Sequence, residues 1–227
     1  MNEHPITIAI DGPVGAGKSC IAALVAKRLG ILYLDTGAMY RAVGLYMKLS
    51  GISLEDAAAI AAHVDETPLS VRHIDGVQHV FLGDEDVSEA IRQPDISLAA
   101  SAVAAVPAVR ARLVALQREI GRTISIVMDG RDIGTYVLPN ATVKIFLTAS
   151  AETRARRRVK QLAEKHIVED YEKVLREIEQ RDYQDTHRAA TPLVQAADAV
   201  LVDTSERTLE QSIDDVLEIC RRAIAAQ

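Results

Sequence analysis

One run of eight residues restricts what this chain can fold into more than any other part of it. Gly12-Pro13-Val14-Gly15-Ala16-Gly17-Lys18-Ser19 fits the spacing G-x-x-x-x-G-K-[ST]. Its flanks match: Ile6-Thr7-Ile8-Ala9-Ile10 before it is an apolar β-type stretch, and Cys20 to Leu29 after it is patterned as a helix and closed by Gly30. Strand, glycine loop and helix in that order make a phosphate cradle. The glycines let backbone N–H groups curl around anionic oxygens, and the helix points its positive end at them. Lys18 is expected to reach the β/γ-phosphates, and the Ser19 hydroxyl to ligate Mg²⁺. The expected nucleoside triphosphate contacts are therefore Gly12, Pro13, Val14, Gly15, Ala16, Gly17, Lys18, Ser19 and the adjoining Cys20. The alternative, a glycine-rich turn that binds nothing, leaves the strand and helix flanks as coincidence.

Further apolar runs alternate with helix-patterned stretches: Thr7–Ile10, Ile31–Leu34, Ile124–Met128, Val143–Leu147 and Ala199–Val202. Continuous apolar strands between helices indicate a parallel sheet covered on both faces. Three of these runs lead straight into an acid, Asp11, Asp35 and Asp129, and the last reaches Asp203; strand C-termini form the edge where such sheets place ligands. Residues 63–100 differ. Val71–Ile74 and Val77–Leu82 are β-patterned around an Asp75-Gly76 turn, Gly83-Asp84 offers another turn, and Ser88 is placed to N-cap a helix through Ile91. Helix signals then run to Gly121 across Pro107, a long helix is expected from Ala151 to about Tyr183, and another from Thr208 to Ala225.

At 227 residues the chain suits one α/β core with appendages. Its formal net charge of −6 argues against a broad nucleic-acid surface. No apolar run approaches membrane-spanning length, and Met1–Pro5 does not read as a signal peptide, so a soluble cytoplasmic protein is expected. Cys20 and Cys220 are expected as core thiols in a reducing compartment. Nothing marks a subunit interface, and a monomer is expected. His63, His73 and His79 lack metal-ligand spacing, and His187 reads as an exposed histidine.

Charged clusters lie beyond the loop. Asp35-Thr36-Gly37-Ala38-Met39-Tyr40-Arg41 reads either as a helix cap with an aromatic anchor, or as an arginine placed to grip an acceptor phosphate. Asp129-Gly130-Arg131-Asp132 closes an apolar strand, and an acid there is the usual partner of a phosphate loop, holding Mg²⁺ directly or through water. Arg154, Arg156, Arg157 and Arg158 form either a solvated helix face or a set of arginines that neutralise a transferring phosphoryl group. Arg181-Asp182-Tyr183-Gln184-Asp185-Thr186-His187-Arg188 mixes charges at a helix end, partly explained by i,i+4 pairing.

GPVGAGKS, DTGAMYR, MDGRDIGT and RDYQDTHR, in this order, resemble the cytidylate kinases, a branch of the nucleoside-monophosphate kinases. The resemblance covers essentially the whole chain, including the β insert. It implies a P-loop NTPase fold of class α/β: three α/β/α layers with a central parallel sheet, a core over 1–62 and 101–227, an acceptor-binding insert over about 63–100 and a short helical lid over about 151–170. By the same resemblance Arg41, Arg131 and Arg188 hold the acceptor phosphate, with Arg181 as a further contact and Thr36 beside them. Ser101, Arg110 and Asp132 read the cytosine base, and Asp185 reads the ribose hydroxyls. The catalytic set it implies is Lys18, Arg131, Arg188 and the lid arginine Arg157, with Ser19 and Asp129 at the metal. The partners implied are ATP and CMP or dCMP, with Mg²⁺ as cofactor. An aspartate accepting from the cytosine amine disfavours uracil, which presents a carbonyl there. A kinase for UMP or another small acceptor is the nearest alternative. A guanine-nucleotide switch would need N-K-x-D after a core strand, which this chain lacks.

Overall fold

The computed structural model describes residues 5–164 and 166–226; Met1–His4, the bulk of the segment read above for a signal, and Lys165 within the expected lid lie outside the described residues. The elements are β1 (Thr7–Asp11), α1 (Lys18–Leu29), β2 (Leu32–Asp35), α2 (Thr36–Leu49), α3 (Ala57–His63), β3 (Leu69–Ile74), β4 (Val77–Leu82) and β5 (Glu85–Asp86). There follow α4 (Pro94–Ala104), α5 (Pro107–Thr123), β6 (Ile126–Gly130), β7 (Val143–Thr148), α6 (Ala151–Glu164), α7 (Tyr171–His187), β8 (Val200–Asp203) and α8 (Leu209–Ala225). The central parallel sheet has the order β2-β6-β1-β7-β8, and β3-β4-β5 form a separate antiparallel sheet. All five apolar runs are strands of the central sheet. Each ends one or two residues later than the apolar pattern, because the polar or glycine residues that follow continue the backbone ladder whatever their side chains do.

The chain clusters into two compact units, one over Leu32–Ile126 and one over Ile6–Ile31 with the residues from Val127 onward. In the second unit β1 is buried along its whole length and pairs in parallel with β7, Ile8 opposite Val143 and Asp11 opposite Phe146. β7 pairs in turn with β8, Thr148 opposite Asp203. α1 ends at Gly30, whose φ of 70° gives the left-handed cap that glycine adopts without strain. α8 begins in a capping box: Thr208 accepts from the Gln211 N–H while the Gln211 side chain accepts from the Thr208 N–H.

The single helix expected from Ala151 to Tyr183 is two helices. α6 closes with the N–H of His166 donating to Ala163 O and that of Ile167 to Leu162 O, a Schellman arrangement with His166 at φ 61°. Asp170 then caps α7 by accepting from the Lys173 N–H at 2.9 Å. The helices pack through Ala155, Val174 and Ile178.

In the first unit β3 and β4 run from Leu69 opposite Leu82 to Ile74 opposite Val77. Asp75 and Gly76 make the turn at φ 52° and 77°, the twin positive angles of a type I′ hairpin. Val80, Val87, Ile91 and Ile96 bury themselves with Ala38 and Ala42 of α2. Ser88 does not cap a helix as expected. Its hydroxyl accepts from the Val80 N–H at 2.9 Å, and only a short 3-10 turn, Ala90–Arg92, follows. α5 starts at Pro107, where a helix tolerates the missing N–H. Among the described residues no single helix is long and apolar enough to cross a membrane.

Candidate active site

The glycine loop is shaped by sterics at its entry. A Cβ on Gly12 would stand 1.9 Å from Leu147 O on β7, so only glycine lets the chain leave β1 there. Gly17, at φ 91°, turns the chain into α1. Lys18 is buried, and its ammonium donates to Pro13 O at 2.7 Å, closing the loop on itself. Burial first, and then the charge of Arg131, pull its pKa down to about 7, against the pull of Asp129, Asp11 and Asp185. The nearby carboxylates do not offset the cost of burying the ammonium beside Arg131, so an anion brought against Lys18 would stabilise its charged form.

Ser19 Oγ donates to Asp129 Oδ2 at 2.8 Å, joining the loop to the end of β6. A hydroxyl and a carboxylate in contact are hard oxygen donors of the kind that would hold Mg²⁺. Cys20, one residue on, is exposed rather than a core thiol. α1 turns Lys18, Ile21, Ala22, Val25 and Ala26 inward, which leaves Cys20 on the outer face. Cys220 is buried as expected, and burial pushes its thiol up to about 12.

Asp11 was legible only as a strand-end acid. Its buried carboxylate accepts from the N–H of Ile133 at 2.8 Å and of Gly134 at 2.7 Å, pinning the turn that follows Arg131 and Asp132. Burial raises its pKa to about 6, with the two amides opposing. Arg131 Nε donates to Asp185 Oδ2 at 2.7 Å, and Arg188 Nη2 lies 3.4 Å from Asp132 Oδ1. The carbonyl of Thr191 steadies Arg188 by accepting from its Nε at 2.7 Å. The second unit thus gathers Lys18, Ser19, Asp129, Arg131, Asp132, Asp185 and Arg188, while Arg181 lies half-buried one turn ahead of Asp185. Asp185, expected on the ribose, here holds Arg131.

The arginine run on α6 divides. Arg154 is buried and structural: its guanidinium donates to Ala149 O at 2.8 Å, to Val14 O at 3.0 Å, and to both carboxylate oxygens of Asp182 at 3.0 and 2.5 Å. It braces the phosphate loop from behind. Arg157 donates to the Thr204 hydroxyl at 3.1 Å and the Thr204 carbonyl at 2.6 Å, while Arg156 and Arg158 are exposed. Twenty-eight residues separate Arg154 from Asp182, and no spacing signal links them.

In the first unit Asp35 caps α2, its Oδ1 accepting from the Ala38 N–H at 2.9 Å, and its Oδ2 accepts from Arg41 Nη2 at 2.7 Å. Thr36 and Arg110 are buried, and the Arg110 guanidinium stands 6.0 Å from the Tyr40 ring centre. Ser101 is exposed on α4 and donates to Ser97 O at 3.3 Å.

The sequence matches the family described as cytidylate kinase over residues 8–222. The cytidylate kinase of Caldicellulosiruptor bescii is 48% identical over 96% of this chain and 97% of that protein. The cytidylate kinase of Mycobacterium avium is 51% identical over 96% of each. A solved structure of an uncharacterized protein from Eubacterium ventriosum superposes with a TM-score of 0.54 at 14% identity, covering 96% of this chain and 98% of the other, a likeness of fold alone. With a match along nearly its full length and relatives at about half identity, the chain belongs to the cytidylate kinase family.

Proposed function

We propose that the chain transfers the γ-phosphoryl group of ATP to the 5′-phosphate of CMP or dCMP, giving ADP and CDP or dCDP. The observation that carries this reading is the cationic cluster of the second unit. There Lys18 feels the charge of Arg131, and Arg131 and Arg188 are each aligned by a carboxylate. A phosphate loop that only stored nucleotide would have no use for two further oriented arginines.

In the reaction an anionic oxygen of the acceptor phosphate attacks Pγ, the Pγ–O bond to ADP breaks, and ADP leaves with the electron pair. The acceptor oxygen is already ionised at neutral pH, so the protein supplies alignment and charge neutralisation rather than a base. Lys18 and the loop amides bind the donor phosphates; Arg41, Arg131 and Arg188 bind the acceptor phosphate, with Arg181 beside them. Mg²⁺ held by the Ser19 hydroxyl, with Asp129 close by, supplies charge neutralisation on the donor oxygens when bound. Asp132 and Arg110, with Ser101, read cytosine, and Asp185 reads the sugar. Residues 63–100 serve as the acceptor-side insert and 151–170 as the lid, with Arg157 on the donor; the chain acts as a cytoplasmic monomer.

The test is an ADP-release assay with ATP and Mg²⁺ against CMP, dCMP, UMP, AMP and GMP. CMP and dCMP turn over at least tenfold faster than the rest, as expected when a mismatched base leaves buried polar groups unpaired. Equal rates across the panel overturn the base assignment, and no turnover overturns the reading.

A further inference from the structure

The antiparallel sheet of the first unit grips β2 at the residue that carries the acceptor arginine's carboxylate. His73 and Gln78 stand directly opposite each other across β3 and β4. His73 Nε2 lies 2.8 Å from Tyr33 O, and since a carbonyl only accepts, that nitrogen carries the proton. Gln78 holds Asp35 at two points: its Oε1 accepts from the Asp35 N–H at 2.6 Å, and its Nε2 donates to Asp35 O at 3.2 Å. A side-chain amide exchanging donor and acceptor with one residue copies a ladder pair of a sheet.

Asp35 is also where α2 and Arg41 are fixed, one carboxylate oxygen taking the Ala38 N–H and the other Arg41 Nη2. The space between is full: a Cβ on Gly37 would lie 3.1 Å from Asp35 Oδ1 and 3.2 Å from Arg41 Nη1. Arg41 Nε is buried and, among the described residues, without a hydrogen-bond partner. A buried donor in that condition costs free energy unless an acceptor reaches it.

We infer that Gln78 is a positioning residue for Arg41. By clamping both peptide groups of Asp35 it fixes the carboxylate that orients the guanidinium towards the acceptor's phosphate. The insert thereby has a part in acceptor binding through a residue that touches no substrate. This rests on the reading of Arg41 as an acceptor-phosphate ligand.

The experiment measures initial rates with CMP and ATP varied in turn for the full chain, Gln78→Met, Gln78→Glu, Arg41→Met and the double variant Arg41→Met/Gln78→Met. Gln78→Met raises the KM for CMP roughly fivefold to tenfold, the loss expected for one or two hydrogen bonds, with the KM for ATP within about twofold. Gln78→Glu, which keeps the acceptor for the Asp35 N–H and loses the donor, falls between. Added to Arg41→Met, Gln78→Met changes nothing further, because a residue acting only through Arg41 has nothing left to act on. A packing role alone would lower the melting temperature without this split or this non-additivity. Should Gln78→Met fail to fold, Gln78→Glu carries the same comparison. An Arg41→Met enzyme with an unchanged KM for CMP removes the reading beneath the inference. A sensitive Arg41 with an indifferent Gln78, or a full Gln78 effect on top of Arg41→Met, overturns the inference itself.

Discussion

Replacing Gly44 by alanine sets helix propensity against packing. In an open helix the change stabilises by about 1 kcal/mol. Gly44 lies on α2 where α4 crosses it, and the new Cβ would stand 2.9 Å from Ala99 Cβ, 3.0 Å from Ala99 C and 3.1 Å from Ala100 N. Carbon pairs prefer roughly 3.5–4.0 Å. Ala99 is fully buried, and two of the three encounters are with backbone, so no rotamer change relieves them and the helices must part. Overpacking of this kind costs about 1–3 kcal/mol, and the backbone contacts favour the upper half. The net expectation is a loss of about 1–2 kcal/mol, which at this chain length lowers the melting temperature by roughly 2–8 °C. Thermal unfolding checks it, and Gly44→Ala combined with Ala99→Gly should recover part of the loss. Because α2 carries Arg41 and α4 carries Ser101, the KM for CMP should rise while that for ATP holds. A Gly44→Ala protein more stable than the parent would refute the packing argument.

Lys18→Met should abolish turnover yet stabilise the nucleotide-free protein at pH 7 by up to ~1–4 kcal/mol, since it removes a buried ammonium whose pKa is drawn down to about 7. A lower melting temperature contradicts this. Asp11 should make stability pH-dependent. The folded protein keeps its proton up to about 6 while the unfolded chain releases it near 3.8, so the contribution is present below 3.8 and lost as pH rises through 6, roughly 3 kcal/mol in all. The stability of Asp11→Asn relative to the parent should therefore climb across that window, and parallel curves would show that Asp11 does not titrate there.

The central sheet was legible because its strands are unbroken apolar runs, and a buried parallel strand needs no alternation to announce it. The loop at 12–19 was legible because its glycines and lysine answer one chemical demand. The break between α6 and α7 was not. Its reversal falls on His166 rather than on a glycine, and no proline marks it. Cys20 was misplaced because helical phase depends on where α1 begins, and the helix starts two residues earlier than the apolar pattern suggests. Arg154 looks like part of a charge run in the sequence because its partners, Val14 and Asp182, come from distant stretches. Gln78 had no signal of its own: an amide in a half-buried strand looks like a surface residue until the peptide it faces is known.

Asp11 sits one covalent bond ahead of the glycine loop, and through its carboxylate it anchors the turn behind Arg131. Within this unit, the connection from the glycine loop to Arg131, the arginine proposed for the acceptor phosphate, runs along two residues of chain and two short hydrogen bonds. An in-line displacement loses about a hundredfold in rate for a misplacement on the order of 1 Å. If the proposed roles of the loop and Arg131 hold, Asp11 gauges the reaction distance, and random mutagenesis screened for turnover should find position 11 nearly as intolerant as position 18.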